Sequence, residues 1–243
     1  MLVSVVIPVF NRYDTIARAI DSVLEQTHPD IEIIIVDDCS TDNTISVIRE
    51  RYANNERVLL LQNKRQLGAC ATRNVGISHC SGDYIAFNDS DDKWFPNKLT
   101  EQIQILNDKD ADIVGSSYHL QEPHSVIIPS MDSTYITYRE ALKHSYMSTQ
   151  TIIAKKEVFQ KVTFDEKLKR FQDWDFLICS SKHFRVFFDA RPQVDVYLQK
   201  NSITLNNKAF LSLYDIFVKN IIGVVSHPST IPFFVWKAIR SIL

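Results

Sequence analysis

The chain has 243 residues, of which 45% are hydrophobic, 11% aromatic and 23% charged, a globular composition that excludes disorder of the whole chain. Its 27 basic and 29 acidic residues give a formal net charge of −2, so no basic surplus marks it as a nucleic-acid-binding protein. The five glycines form no G-x-G pair, and none of the four cysteines forms C-x-x-C. These patterns exclude a Rossmann dinucleotide fingerprint and argue against a structural zinc site.

Strand-like and helix-like segments alternate through the first ~90 residues. Short β-branched runs predict buried strands at 3–9, 31–36, 58–61 and 84–87, with helices in the intervals between them, the last at 68–79. Alternation of this kind requires crossover connections, which predict a mostly parallel sheet and an α/β fold. Such sheets bind ligands in the loops after the carboxyl ends of their strands.

The second half of the chain has a less regular pattern. We expect helices at 98–107 and 173–181, a loop at 121–137, and strands at 112–117, 149–154, 185–188 and 194–198. From residue 209 onward the sequence is helix-like, with interruptions at Pro228 and Pro232.

The motif Asp89-Ser90-Asp91-Asp92 directly follows the predicted strand at 84–87. Asp89 and Asp91 are two residues apart at a strand end, so both carboxylates can face one cleft. Carboxylate oxygens are hard ligands that suit Mg²⁺ or Mn²⁺, and such an ion keeps positions open for substrate phosphates. The alternative is a solvated acidic turn.

Two further segments lie at neighbouring positions of the predicted sheet edge. In 37–42, Asp38 can accept a hydrogen bond from a nucleotide base, or the segment can simply cap the next helix. In 68–76, small residues allow close helix packing, and Arg73 can bind a phosphate or brace the acidic loops.

A fourth segment, 171–176, places Asp173 and Asp175 on either side of Trp174 at a predicted helix start. These acids can complement the helix dipole. Alternatively, one of them can act as a general base on a substrate hydroxyl.

In their order and spacing, these four segments resemble the family 2 glycosyltransferases of the GT-A fold, which transfer a sugar from a nucleotide donor with inversion. The resemblance covers residues 1–205, which are expected to form one domain with a nucleotide-sugar-binding half at 1–117 and an acceptor-binding half at 118–205. It implies a divalent metal, Mn²⁺ or Mg²⁺, a nucleotide-sugar donor, most simply a UDP-sugar, and a saccharide or lipid-linked acceptor.

The resemblance also implies roles for individual residues. Asp173 is the expected catalytic base, and Asp91, together with Asp89, is the expected metal ligand. The base pocket is expected at Pro8, Val9 and Phe10, with uracil recognition by Asp38 and the diphosphate near Arg73. The full nucleotide-binding set is Pro8, Val9, Phe10, Asn11, Asp38, Arg73, Asp89 and Ser90.

Two positions depart from the family pattern. Cys179 stands six residues after the expected base, where the family often has an arginine. Gln199 stands three residues before Ser202-Ile203-Thr204, where many members have a histidine.

Residues 206–243 form an expected helical tail that is rich in basic and apolar residues. The tail either closes the core or contacts a membrane surface peripherally. The N-terminal segment 1–8 lacks the basic region of a signal peptide, and no apolar run reaches the ~18–20 residues of a membrane span. We therefore expect a cytoplasmic protein that either remains free or lies at the inner face of the membrane.

Two other functions are weighed against glycosyl transfer. A non-catalytic sugar-nucleotide-binding or scaffold protein can share the fold, but it has no need of Asp173 together with the Asp89 and Asp91 pair. A sugar-nucleotidyltransferase also places acids around a metal, but its early glycine-rich phosphate loop is missing here.

Overall fold

Ten strands pair into one mixed sheet in the computed structural model, which describes residues 1–121, 126–198 and 209–240. They are β1 (Val3–Val9), β2 (Ile31–Asp37), β3 (Val58–Gln62), β4 (Tyr84–Phe87), β5 (Lys93–Trp94), β6 (Ile113–Leu120), β7 (Val126–Ile128), β8 (Thr134–Ile136), β9 (Ile153–Lys155) and β10 (Val186–Val196). Their order is β3-β2-β1-β4-β9-β6-β10-β5, with β7 beside β6 and β8 beside β10. Strands β1 to β4 pair in parallel, as β6 does with β10, whereas β9 runs antiparallel to both of its neighbours.

Helices cover both faces of this sheet. They are α1 (Ile16–Leu24), α2 (Thr44–Tyr52), α3 (Ala69–Ser78), α4 (Lys98–Asp108), α5 (Tyr138–Ala141), α6 (Lys156–Lys161), α7 (Gln172–Ser181), α8 (Ala209–Lys219), α9 (Ile221–Ser226) and α10 (Ile231–Arg240). Residues of α1, α2 and α4 share one apolar layer, and residues of α3, α6, α7 and the tail helices share the other. The predicted α/β fold with a mostly parallel central sheet is therefore confirmed.

Strand β1 shows why the sheet is buried on both sides. Val5, Ile7 and Val9 belong to the layer beneath α1, whereas Val6 belongs to the opposite layer. All four side chains are nearly inaccessible to solvent. Each buried aliphatic side chain of this size contributes about 1.5–3 kcal/mol relative to an exposed one, so a run without polar alternation is stable only in this central position.

A glycine allows α3 to pack closely on the sheet. A Cβ atom at Gly76 would lie 2.4 Å from Val6 Cγ1 and 3.3 Å from Val36 Cγ2, closer than side-chain carbons approach one another. The close packing fixes the depth of α3 over β1 and β2, and Arg73 lies one turn earlier on the same helix.

The structure departs from the sequence-based elements mainly after residue 120. The expected loop at 121–137 contains the short strands β7 and β8, and the expected strand at 149–154 begins with the 3-10 turn Thr149–Thr151. The two strands expected at 185–188 and 194–198 are one strand, β10, with register shifts between Asp189 and Asp195 where it pairs with β6. Bulges of this kind break the side-chain alternation by which a strand is recognised in a sequence.

The C-terminal helices pack against the domain along one face. Leu213, Ile216, Val224 and Phe234 are buried in the same apolar layer as Trp174. The expected interruption at Pro228 is a 3-10 turn (Pro228–Thr230), whereas Pro232 lies inside the first turn of α10, where a proline needs no N–H partner. The predicted domain boundary at 205 lies outside the described residues.

A second close backbone approach, between α9 and α5, positions the C-terminal helices. A Cβ atom at Gly223 of α9 would lie 1.9 Å from the Tyr138 hydroxyl oxygen of α5, so α9 touches α5 through its backbone. Across 1–121, 126–198 and 209–240, no helix is long and apolar enough to cross a bilayer.

Candidate active site

Three loops meet where the parallel strands β1, β2 and β4 end. The Asn11 N–H donates to Ser40 Oγ at 2.9 Å, and the Thr41 N–H donates to Asn11 Oδ1 at 2.8 Å, which joins the loops after β1 and β2. Asn11 adopts the left-handed conformation (φ 51°), which asparagine tolerates better than most residues. The Thr15 hydroxyl donates to the Ser90 carbonyl at 3.0 Å and so joins the start of α1 to the acidic loop.

The three residues expected to line a base pocket differ in which of their groups a ligand can reach. Val9 is buried in the apolar layer beneath α1, so it can offer a ligand its backbone but not its side chain. Pro8 is half-buried, and the Phe10 ring is 38% exposed. Phe10 is therefore the member of this set with an open aromatic face.

Asp38 is buried and holds the loop that precedes α3. Its Oδ1 accepts hydrogen bonds from the Leu67 N–H at 2.7 Å and from Asn63 Nδ2 at 2.9 Å, and its Oδ2 accepts one from the Gly68 N–H at 2.8 Å. The Oδ2 atom keeps a second lone pair that can accept a hydrogen bond from a ligand. Asp38 thus combines a structural role with room for one further donor.

Two arginines bind the carboxylates that are expected to contact nucleotide and metal. Arg73 Nη2 lies 2.6 Å from Asp89 Oδ1, and Arg12 Nε lies 3.3 Å from Asp91 Oδ2. Arg18 donates to the backbone carbonyl of Asp91. The Asp89 and Asp91 side chains remain 29% and 19% exposed, so both can still be reached by a ligand from solvent.

The acidic loop brings three carboxylates, those of Asp89, Asp91 and Asp92, close together beside these arginines. Asp92 is buried and accepts a hydrogen bond from the Tyr197 N–H at 3.2 Å. Burial, followed by repulsion from Asp89 and Asp91, raises the pKa of Asp92 well above its ordinary value. Burial and repulsion from Asp89 also raise the pKa of Asp91, although Arg12 opposes this rise. Binding of a cation would stabilise the ionised form of carboxylates in this situation.

Two nitrogen atoms of the Arg73 guanidinium group are left without a hydrogen-bond partner in the described residues. The side chain is almost fully buried, and its Nε and Nη1 atoms have no hydrogen-bond partner among the residues that the structure describes. Buried N–H donors without acceptors cost about 1–3 kcal/mol. An anionic ligand such as a phosphate would recover this cost through charge-assisted hydrogen bonds.

Asp173 lies in the first turn of α7, at the helix start predicted for it. Its Oδ1 accepts the Trp174 N–H at 2.8 Å, and the Trp174 indole N–H donates to the Ala141 carbonyl at 2.6 Å, which fixes the start of α7 against α5. Burial raises the pKa of Asp173, against the opposing effects of the Trp174 N–H and of two nearby cations. A carboxylate whose pKa is raised is a stronger base while it remains ionised.

One of those two cations comes from the C-terminal tail. Lys237 Nζ, on α10, lies 3.5 Å from the Trp174 ring centroid and 5.7 Å from the Phe171 ring centroid. Burial lowers the pKa of Lys237 to about 8, and Asp173 opposes this shift. The sequence places Lys237 among the basic residues of the tail, but no local motif connects it with a residue so far back in the chain.

The other cation is Arg73, which connects Asp173 with the acidic loop. Arg73 binds Asp89 and is also one of the groups that oppose the burial-driven rise in the pKa of Asp173. Burial, followed by repulsion from Asp173 and Asp92, raises the pKa of Tyr118 to about 12. Asp173 and the acidic loop therefore border the same region of the molecule.

A second lysine of the tail binds the other acids near α7. Lys219 Nζ, on α8, lies 2.8 Å from Asp175 Oδ2 and 3.2 Å from Asp165 Oδ2. Asp175 is buried, and Cys179 Sγ lies 3.8 Å from its Oδ1. In this chain the positive charge beside Asp175 therefore comes from the tail, and not from position 179, where the family pattern often has an arginine.

A metal site of protein ligands alone is not formed by the residues the structure describes, because no three or more His, Cys, Asp or Glu side chains there converge on one point. Magnesium and manganese ions are commonly held by one or two carboxylates together with substrate phosphates and water. Asp89 and Asp91 fit that donor set. The departure at Gln199 and the late motif at 202–204 lie outside the described residues.

The comparison with protein families identifies the class of this protein. The sequence model for glycosyl transferase family 2 matches residues 4–184. The chain therefore belongs to glycosyl transferase family 2. It is a glycosyltransferase, and its fold is the GT-A fold.

Two curated bacterial relatives are each about one third identical to this chain. TuaG of Bacillus subtilis (strain 168), a glycosyltransferase named for teichuronic acid biosynthesis, is 31% identical over 209 residues, which cover 84% of this chain and 82% of TuaG. WfgD of Escherichia coli is 32% identical over 163 residues, which cover 67% of this chain and 64% of WfgD. Its name describes a UDP-Glc:α-D-GlcNAc-diphosphoundecaprenol β-1,3-glucosyltransferase.

Two solved structures share the fold. The 1–349 fragment of S. aureus TarS in complex with UDP-GlcNAc superposes with a TM-score of 0.77 at 21% identity, covering 90% of this chain and 66% of TarS 1–349. The mannosyltransferase PcManGT of Pyrobaculum calidifontis, in complex with GDP-Man and Mn²⁺, superposes with a TM-score of 0.72 at 16% identity, covering 99% and 72% of the two chains. At these identities the likeness concerns the fold.

Proposed function

We propose that this chain moves a sugar from a UDP-sugar to a hydroxyl group of a saccharide or lipid-linked acceptor, with inversion, in the biosynthesis of a bacterial surface polysaccharide or glycolipid. The observation that carries the proposal is that Arg73 binds Asp89 at 2.6 Å and that its charge also opposes the burial-driven rise in the pKa of Asp173. The proposed base for the acceptor and a cation for the donor would therefore act in one site. Inverting transfer needs both of these groups in one step.

The donor nucleotide would lie across the ends of β1, β2 and β4. The exposed Phe10 ring would stack on the base, and the spare lone pair on Asp38 Oδ2 would accept a base N–H. The positive charge of Arg73, which binds Asp89, would attract the diphosphate, and Asp89 would contact the ribose or the metal. Uridine is favoured because TarS is solved with UDP-GlcNAc and WfgD is named for UDP-Glc.

A divalent cation, Mn²⁺ or Mg²⁺, fits the residues of the acidic loop. Asp91 would hold it together with Asp89, because their oxygens are hard donors and repulsion between neighbouring carboxylates in this loop favours an added cation. When bound, the ion would relieve negative charge on the departing diphosphate. PcManGT, which shares the fold, is solved with Mn²⁺.

The transfer itself would be a single displacement. Asp173 would take the proton of the acceptor hydroxyl as that oxygen attacks the anomeric carbon. The bond from the anomeric carbon to the diphosphate oxygen breaks on the opposite face, and UDP leaves with the electron pair. Arg73 would stabilise the charge that develops on the diphosphate, so the reaction needs no covalent enzyme intermediate.

The acceptor is proposed to be carried on a lipid diphosphate at the cytoplasmic face of the membrane. The support is the name of WfgD, which describes an acceptor linked to diphosphoundecaprenol. The Lys237 cation beside Asp173 adds to this support, since it offers positive charge on the side of the base where an acceptor with an anionic anchor would bind.

Titration calorimetry with UDP, GDP and CMP, each with and without Mn²⁺, tests the donor site. We expect UDP to bind most tightly and its affinity to rise with Mn²⁺. Slow release of UDP from UDP-glucose or UDP-GlcNAc, with water as acceptor, then tests the chemistry without knowledge of the natural acceptor. Equal binding of all three nucleotides would overturn the uridine assignment, and tight UDP binding without any turnover of UDP-sugars would favour the non-catalytic alternative.

A further inference from the structure

The last two helices carry apolar side chains that are between 42% and 81% exposed to solvent. Ile222 is 81% exposed and Val225 is 64% exposed, whereas Val224 and Phe234 on the inner side of the same helices are buried. We name the exposed set the outer tail face. It consists of Ile221, Ile222 and Val225 on α9 and Ile231, Val235 and Trp236 on α10.

Three basic side chains of the domain contact tail residues next to this face, and one acid, Glu140, lies on α5 between two of them. Lys182 donates to Asn220 Oδ1 at 2.8 Å just before α9, and Arg139 donates to Ser229 Oγ at 3.1 Å in the turn between α9 and α10. Lys143 Nζ lies 5.8 Å from the ring centroid of Phe233 on α10. The sequence from residue 216 to the end contains no aspartate or glutamate.

We infer that the outer tail face binds the surface of an anionic lipid bilayer, with α9 and α10 lying in the plane of the headgroups. A short helix with one apolar face and a basic border is the pattern of interfacial membrane helices. Anionic headgroups complement the basic border, and a tryptophan at the water–lipid boundary is favourable. If a second copy of the chain bound to this face instead, the basic borders of the two copies would come together, and repulsion between like charges would oppose that association.

The outer tail face lies next to residues of the candidate site, so membrane binding through this face would also position that site. Val235 and Trp236 lie on the outer face of α10, and the next residue, Lys237, contacts Trp174 beside Asp173. Membrane binding through α10 would therefore hold the expected base close to the headgroup plane. This consequence rests on the proposed lipid-linked acceptor, whereas the binding of the face to a bilayer does not.

Deleting the tail cannot test this inference. Leu213, Ile216, Val224 and Phe234 are buried in the apolar layer around Trp174, so truncation would expose the core of the domain. Substitutions confined to exposed positions leave this layer intact and are the suitable variants.

The experiment is co-sedimentation of the full chain with vesicles of phosphatidylcholine alone and of phosphatidylcholine with phosphatidylglycerol. We expect binding to the anionic vesicles, and a loss of about tenfold or more in the partition coefficient for Ile222→Ser/Val225→Ser and for Ile231→Ser/Val235→Ser. Arg139→Gln/Lys143→Gln should lower binding to anionic vesicles without changing binding to phosphatidylcholine. Val126→Ser/Ile127→Ser removes two apolar side chains of β7 that are 46% and 45% exposed, close to the 42% and 52% of Ile231 and Val235, so it is the matched control for that variant and should bind like the wild type.

Circular dichroism and thermal melting confirm that each variant is folded, and light scattering gives its mass in solution. Equal vesicle binding by the wild type and both outer-tail-face variants would overturn the inference, as would a wild-type dimer that these variants convert to monomer. Because vesicle binding requires neither nucleotide nor turnover, it can fail while the UDP experiments succeed, and the reverse also holds.

Discussion

The two halves of the domain assemble their functional groups in different ways. On the proposed donor side, Asn11, Ser40 and Ser90 lie in loops after strands that are neighbours in the sheet, and hydrogen bonds join these loops at one sheet edge. On the proposed acceptor side, Asp173 lies in the first turn of α7, but the lysine near it comes from α10 at the far end of the chain. The donor side therefore follows from the strand order, whereas the acceptor side depends on how the tail packs.

The largest effect is expected from Asp173→Asn, which tests whether the acceptor side supplies the base. Loss of a general base lowers turnover by about 100- to 10,000-fold. Asparagine avoids the cost of a buried charge, so thermal stability should be unchanged or higher. UDP release from UDP-sugars and calorimetric UDP affinity are the two measurements. Unchanged turnover would remove Asp173 from the chemistry, and lost UDP affinity would assign it to the donor side.

Asp91→Asn tests the donor side in the same assays. We expect UDP affinity in the presence of Mn²⁺ to fall about tenfold or more, equivalent to about 1.4 kcal/mol, and to change little without the ion. Asp215→Asn, on the exposed face of α8, is the matched control and should behave like the wild type. The metal assignment would be wrong if the variant and the wild type responded equally to Mn²⁺.

Lys219→Met tests how far the acceptor side depends on the tail for its stability. The substitution leaves the buried Asp175 carboxylate without its closest cation, which should lower the free energy of unfolding by about 1–3 kcal/mol at neutral pH. Burial raises the pKa of Asp175, so the loss should shrink as the pH falls and Asp175 becomes protonated. Urea denaturation at several pH values measures this effect, with Lys161→Met, an exposed lysine at the end of α6, as the control. A loss that is independent of pH would contradict the role of the ion pair.

The smallest effect is expected from Lys237→Met, and it concerns pH. Burial raises the pKa of Asp173 and the positive charge of Lys237 opposes the rise, so removing that charge should move the acidic limb of the turnover profile to higher pH. Arg73 and Tyr118 also face Asp173 and are unchanged in the variant. Lys237→Arg should restore the original profile, whereas a merely structural lysine would lower turnover equally at all pH values.

The difference between local strand-end loops and long-range tail contacts explains how much of the structure could be predicted from the sequence. Strands 3–9 and 84–87 match the structure because central strands buried on both faces leave an uninterrupted apolar pattern. The helix start at Asp173 was also predicted correctly, since acids in a first turn mark it locally. The sequence predicts two strands in place of β10, because the register shifts of β10 break the alternation of its side chains. No local sequence pattern links Lys219 or Lys237 with the acids that they approach in the structure.

The contact between Gly223 and Tyr138 has a consequence for exchanging parts between related enzymes. Because α9 meets α5 through a bare backbone, no side chain at position 223 can adjust to a different residue at 138. A graft that transfers only the C-terminal helices from one relative to another would carry one half of this contact without the other. The smallest transplantable unit therefore joins α5 to the tail across the intervening sequence, and the proposed acceptor preference and membrane binding should be inherited together with it.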